Sequence, residues 1–422
     1  MRKAISGGRA LLCLTGILLL QAGCNFSSNN KNRAMDVKYQ EGSYGYDKDF
    51  LQKHEIPFVE LKEEKSGAAL LLVPGYQGRV MTSTASGNEG ASFGWINHAL
   101  IASGNTSEQF NPYGGEERLW LGPEGGPFSI YFPPGALQDF SNWKVPGLID
   151  TAAFVLVEQS GHHAVFSKEA SLTNASGTPL SLRIDRTVRI LDRENAAKAL
   201  RSNIGGDLAM VAYESENVLT NTGSAAWDES SGLLSIWMLS MFNPSDKGVV
   251  FIPFKKGSED TLGPVVNDDY FGKVPSDRLK ISDGMIYFKT DGKRRGKIGL
   301  SPQRALPWCG SYDPVQKALT LLWYLLPGNV AEYVNAKWGP QEDPLDGDVV
   351  NAYNDGPLED GSIMGPFYEL ESSSPAAFLA PSESMVHRQM IFHIAGEEEE
   401  LDLILQTLFG ITIDEVKNVF DI

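Results

Sequence analysis

The chain has 422 residues, with 43 glycines and 23 prolines among short apolar runs, enough to bury a large core in one big β domain or two domains. Its formal charge of −17 argues against binding DNA or RNA through phosphates and suits a neutral ligand, a cation or a protein partner. The three cysteines form no zinc-binding cluster.

Arg2, Lys3 and Arg9 make a basic start, Ala10 to Ala22 is apolar, and Gly23-Cys24 follows. This is the pattern of a bacterial lipoprotein signal peptide (residues 1–23), with Cys24 as the acylated first residue and a membrane anchor. Gln21 stands where an apolar residue is usual. The expected location is the cell envelope, on its periplasmic or surface face. If Cys24 is acylated, Cys309 is left as the one thiol of the mature chain. Residues 24–55 read as a tether and N-terminal extension, with a short helix at Tyr46 to Leu51.

From residue 56 to 395 the pattern predicts an all-β fold, a large antiparallel β-sandwich with short helical inserts. Ala68 to Val73 and Arg79 to Thr82 read as strands around Pro74-Gly75. Leu180 to Ile190 alternates cleanly, and counting by twos from Leu180 puts Arg186 among Leu182, Ile184, Val188 and Ile190. A guanidinium there must pair with a carboxylate, reach a cleft, or be excused by a bulge. Leu233 to Phe242 reads as a buried strand. Lys255 to Arg295 is a charged, glycine-rich excursion expected on the surface. Lys297 to Pro302 and Ala318 to Tyr324 are sheet strands.

Asp343 to Asp355 is rich in acids and amides. Asp343, Asp348 and Asp355 supply oxygens suited to Ca²⁺, though without EF-hand spacing, and no other cofactor is expected. The alternative is a site for sugar hydroxyls using Asn351 and Asn354, with Trp338 or Tyr353 as a stacking platform. In Phe367 to Glu371, strand alternation places Glu369 and Glu371 on one face, about 7 Å apart at the backbone, with Tyr368 and Leu370 opposite. Such a face is either wet or lines a site. His387 to Ile394 is a last strand. Residues 396–422 form a helical tail, with a capping box at Thr412-Ile-Asp-Glu415.

Leu370-Glu371-Ser372, a proline soon after, and Leu379-Ala-Pro-Ser-Glu383 resemble the C-terminal motif of galactose mutarotases (aldose 1-epimerases): Leu-Glu-Thr, a proline-containing loop, then Leu-x-Pro-Gly-Glu. The whole chain is similar to a group of bacterial lipoproteins in the same superfamily. The resemblance implies a mutarotase-like supersandwich, a carbohydrate ligand, and Glu371 as catalytic base with Glu369 beside it. Gly114-Gly115 followed by charge, Leu and Trp sits at the cleft rim in such proteins, which makes Glu116, Glu117, Arg118 and Glu124 candidate contacts. Arg186 or Arg118 is the expected partner of Glu371. The family's catalytic His has no counterpart, since no His lies between His163 and His387. Glu369, His98 or another group would then have to supply the acid. Two functions follow: an epimerase-like or glycan-processing enzyme, or a non-catalytic glycan-binding or structural surface lipoprotein.

Overall fold

The computed structural model describes residues 38–358 and 360–421. The signal segment, Cys24 and the start of the tether lie outside the described residues. In chain order the strands are β1 (Val59–Lys62), β2 (Ala69–Val73), β3 (Arg79–Thr84), β4 (Arg118–Gly122), β5 (Val155–Gln159), β6 (His163–Thr173), β7 (Pro179–Ile190), β8 (Ala209–Asn221) and β9 (Ser235–Phe242). They continue with β10 (Val249–Pro253), β11 (Leu279–Ser282), β12 (Met285–Lys289), β13 (Gly296–Leu300), β14 (Trp308–Asp313), β15 (Ala318–Tyr324), β16 (Val350–Asn354), β17 (Tyr368–Ser373) and β18 (Ser384–Ala395). The helices are α1 (Tyr44–Lys53), α2 (His98–Ser103), α3 (Gly147–Asp150), α4 (Arg193–Leu200), α5 (Glu259–Leu262), α6 (Glu398–Phe409) and α7 (Ile413–Lys417).

The fold is all-β, and the named strand pairs are antiparallel. A ten-stranded sheet runs β11-β12-β10-β14-β15-β18-β8-β7-β6-β5, a five-stranded sheet β13-β16-β17-β9-β4, and a three-stranded sheet β1-β2-β3. The two larger sheets form the sandwich. Ile236, Met238, Leu370 and Ala352 of the smaller sheet share one core with Leu182, Ile184, Val188, Leu219 and Ile391 of the larger. Burial of this apolar surface is the main force holding the sheets face to face. Edge strand β5 leaves Val155 and Val157 more than half exposed.

The described chain packs before residue 56. Ser43 caps α1, and Tyr44 and Leu51 are buried against Ala69, Leu71, Val73 and Met81. At the other end, Leu401, Ile404 and Leu405 of α6 bury into a second core on the outside of the large sheet. Thr412 and Glu415 make the reciprocal capping box of α7. No helix of the described residues is long and apolar enough to cross a membrane.

The excursion from Lys255 to Arg295 departs from its surface assignment. Met285-Ile-Tyr-Phe288 is buried as β12, inside the edge of the large sheet. The apolar tetrapeptide outweighs the charge around it.

Candidate functional site

The register of the five-stranded sheet decides what its outer face carries. Glu371 pairs with Asn351 on one side and Leu239 on the other, Asn351 with Gly299, and Leu239 with Arg118. Two residues along, on the same face, the row contains Lys297, Tyr353, Glu369 and Met241. In antiparallel sheets, residues directly opposite share a face, and the face alternates along each strand. Glu369, Glu371, Lys297, Asn351, Trp237 and Arg118 therefore all project away from the sandwich core. Tyr368, Leu370 and Ser372 project into it.

Arg118 Nη2 donates to Glu369 Oε1 at 2.9 Å, with its guanidinium over the Trp120 ring at 4.5 Å. Burial pushes the Glu369 carboxyl up, Arg118 pulls it back, and the neighbouring Glu371 pushes it up again. Glu371 is held differently. Its Oε2 accepts from Trp237 Nε1 at 2.9 Å and from Lys297 Nζ at 2.8 Å. Its Oε1 is buried without a hydrogen-bond partner. An unpartnered buried acceptor costs about 1–3 kcal/mol, so this one calls for an explanation.

Over the same sheet face, beside these carboxylates and not lined by them, lies a cavity of about 740 Å³, lined by Trp237, Asn267, Tyr270, Lys297, Asp348 and Asn351 among others. Tyr270 Oη donates to Asp348 Oδ2 and accepts from Asn351 Nδ2 at 3.1 Å. Asn267 Nδ2 donates to the same Asp348 oxygen at 3.3 Å. Burial pushes the Asp348 carboxyl up to about 6, against the hydrogen bonds of Tyr270 and Asn267 and the charge of Lys297. Gly299 makes this arrangement possible, because a Cβ there would overlap Asp348 Oδ2 and Asn351 Nδ2. Glu124, on the loop after β4, is a further acid nearby. Burial pushes its carboxyl up, against Lys297 and together with Glu371.

Several candidates fall elsewhere. Glu117 and Arg186 are fully buried between the two large sheets, paired at 2.5 Å. Asn217 and Gly78 take the remaining Arg186 donors, while Ser215 and Gln389 donate to Glu117. Arg186 thus does find a carboxylate, but it is Glu117 inside the sandwich rather than Glu371. Glu116 is likewise internal, bonded by Ser83 and His393. Asn354 faces inward and bonds Arg294 O and Gly292 N, so it holds a turn. His98 pairs with Asp47 beside α1.

Asn351 lines the cavity, and Arg118 and Glu369 lie on the same sheet face. Trp338 is 39 % exposed, stacked on Trp143 with centroids 6.2 Å apart.

The acids of the Asp343 to Asp355 stretch each have separate protein partners. Asp343 caps Leu345 N, Asp348 takes Tyr270 and Asn267, and Asp355 takes Tyr353 and Gly365 N. Among the described residues, no three His, Cys, Asp or Glu converge as metal ligands. Trp237, Tyr270, Asn267 and Lys297 were not singled out from sequence. For Lys297 a signal existed: it shares strand parity with Gly299, opposite the buried Ile298 and Leu300.

The chain is similar to a Synechocystis protein at 13% identity, covering 81% of this chain and 96% of that one, with a TM-score of 0.47. A galactose mutarotase-like protein of Lactobacillus casei matches at 10% identity over 80% of this chain and 100% of its own, with a TM-score of 0.43. A galactose mutarotase related enzyme of Lactobacillus acidophilus matches at 7% identity over 80% and 97%, with a TM-score of 0.45. No curated protein matches in sequence. The family model described as "Family of unknown function (DUF6786)" matches residues 42–420, and the chain belongs to that family.

Proposed function

We propose that the chain binds a carbohydrate in the cavity on the outer face of the five-stranded sheet. One observation carries this reading: the cavity sets two aromatic residues, Trp237 and Tyr270, beside Asp348, Asn351 and Lys297. A sugar ring offers the matching chemistry, apolar C–H faces and a rim of hydroxyls that donate and accept. The volume suits a mono- or disaccharide, and the acidic chain favours a neutral one. Calorimetry of residues 25–422 against monosaccharides and short glycans tests the reading. Saturable binding that Trp237→Ala and Asn351→Ala each weaken about tenfold is expected, as for loss of one good contact. If no sugar binds at millimolar concentration, the proposal fails.

Location belongs to the same proposal. The basic, apolar and Gly23-Cys24 sequence supports a lipid anchor that holds the domain at a cell-envelope membrane. Cys24→Ser should release the protein from the membrane fraction. If the mutant stays in that fraction, there is no such anchor.

A further inference from the structure

The cavity is lined from Lys297 on edge strand β13 to Gly122 on edge strand β4, four strand spacings apart or about 19 Å at the backbone. Past the β4 edge two segments leave the lining side by side. Pro123 and Lys337 line the cavity, and the residue after each, Glu124 and Trp338, does not. The segments approach closely there, since a Cβ on Gly125 would overlap Lys337 O and Trp338 Cα. Glu124 is buried within electrostatic reach of Lys297 and Glu371 on the sheet and of the indoles of Trp143 and Trp338. Trp338 thus stands immediately outside the β4 end of the cavity.

An apolar surface open to solvent gathers at that end. Trp338, Phe140 and Leu137 are 39 %, 67 % and 74 % exposed. Trp143 is near-parallel to both neighbouring rings, with its centroid 6.2 Å from Trp338 and 6.0 Å from Phe140. Phe132 packs edge-on against Trp338 at 5.1 Å. The backbone that carries Trp338 is braced as well. Gly339 N donates to Gln138 Oε1 at 2.8 Å, and Gln341 Nε2 donates to Asn335 O at 2.8 Å and to Lys337 O at 2.6 Å. The loop therefore holds an exposed indole in a fixed place. Exposed apolar patches mark contact surfaces, and this one is continuous with the cavity.

We propose that Trp338, backed by Trp143, is a stacking platform for a sugar unit that projects from the cavity over the β4 edge, so that the ligand is a glycan chain longer than a disaccharide. This rests on the carbohydrate-binding reading. The cavity itself takes one or two units, and a linear chain laid across the strands leaves it where Trp338 stands. The indole offers its π-face to the apolar C–H face of the next ring, whose hydroxyls stay in water. Because the platform is already fixed, little ordering cost is added when the chain docks on it.

The test is calorimetry of the purified chain against malto-, cello- and chito-oligosaccharides of increasing length, from the monosaccharide to the hexasaccharide. In a series that binds, affinity should rise about five- to tenfold from the disaccharide to the tetrasaccharide, the scale of one aromatic stacking contact. Trp338→Ala should bring the tetrasaccharide down to the affinity of the disaccharide, and Trp338→Phe should keep part of the gain. Trp237→Ala, inside the cavity, should weaken every length alike. Matching thermal melting curves for the wild type and Trp338→Ala exclude a folding defect as the cause. Equal affinity at all lengths, or a gain that survives Trp338→Ala, overturns the proposal and leaves the carbohydrate-binding reading standing. So does binding to phosphatidylethanolamine–phosphatidylglycerol vesicles that Trp338→Ala abolishes, without any gain from glycan length, which makes the patch a membrane contact. If no sugar of any length binds, both readings fall.

Discussion

Lys297 Nζ reaches Glu371 Oε2 at 2.8 Å although β16 runs between their strands. The lysine stem crosses over that strand to place its charge where the carboxylate is buried. Its ammonium also lies 5.0 Å from the Trp237 ring centroid and 5.5 Å from that of Tyr270. One cation thus serves a buried acid and two rings.

Lys297→Met should cost about 3 kcal/mol of stability, because it strands a carboxylate that is 1 % exposed. Adding Glu371→Gln should recover most of the loss, since the amide oxygen still accepts from Trp237. Urea denaturation of the two single mutants and the double mutant checks this. Additive losses would mean that the two side chains are not coupled.

Glu117→Gln should destabilise by about 3–5 kcal/mol, the cost of leaving the fully buried Arg186 without its counter-charge. Sugar affinity of the folded fraction should not change, because the pair lies inside the sandwich. Denaturation and calorimetry at low temperature separate the two effects.

Gly299→Ala should keep the fold and close the site. The new methyl overlaps Asp348 Oδ2 and Asn351 Nδ2, both of which line the cavity side of β13. Sugar binding should drop at least about tenfold with a loss of stability near 1–3 kcal/mol, the usual cost of overpacking. Unchanged affinity would place the ligand elsewhere.

His387 is buried, with Nε2 2.9 Å from Ser372 Oγ and Nδ1 unpartnered. Ser372 Oγ donates to Gln389, so it accepts from the imidazole, which fixes the neutral tautomer. Burial drags the imidazole down to about 3. Unfolding restores an ordinary value near 6.5. The stabilisation is therefore complete above about pH 6.5 and drains away as pH falls towards 3, reaching a loss of roughly 2 kcal/mol by pH 5. Unfolding free energies at pH 7.5 and pH 5 should differ by about that much more in the wild type than in His387→Gln.

Period-2 alternation was enough to pair Glu369 with Glu371 and to flag Arg186, because both depend on neighbours within one strand. Which carboxylate answers Arg186 was not legible: Glu117 comes 69 residues earlier in the chain, on the approach to β4. The cavity was hidden for the same reason. Tyr270 belongs to a charged stretch that looks like surface, and the bridge between Asn267 and Gly299 brings it over β13. Asp348 was visible as an oxygen donor, but its setting depends on Tyr270 and on the missing side chain of Gly299. Local patterns specify faces, whereas the partners across a site come from distant segments.

The order of strands also sets when this site comes into being during synthesis. β5, β6, β7 and β8 are consecutive in the chain and adjacent in the large sheet, so they pair with short loop closures. The five-stranded sheet is different: β4 and β17 both pair with β9, across more than a hundred residues on each side. Its central strand is made only when the ribosome has passed residue 373. A nascent chain halted at residue 330 should show hydrogen-exchange protection across β5 to β8 and none over Trp237. The domain therefore emerges with much of its framework built and this cavity still open, and the cavity is completed only after β16 and β17 follow.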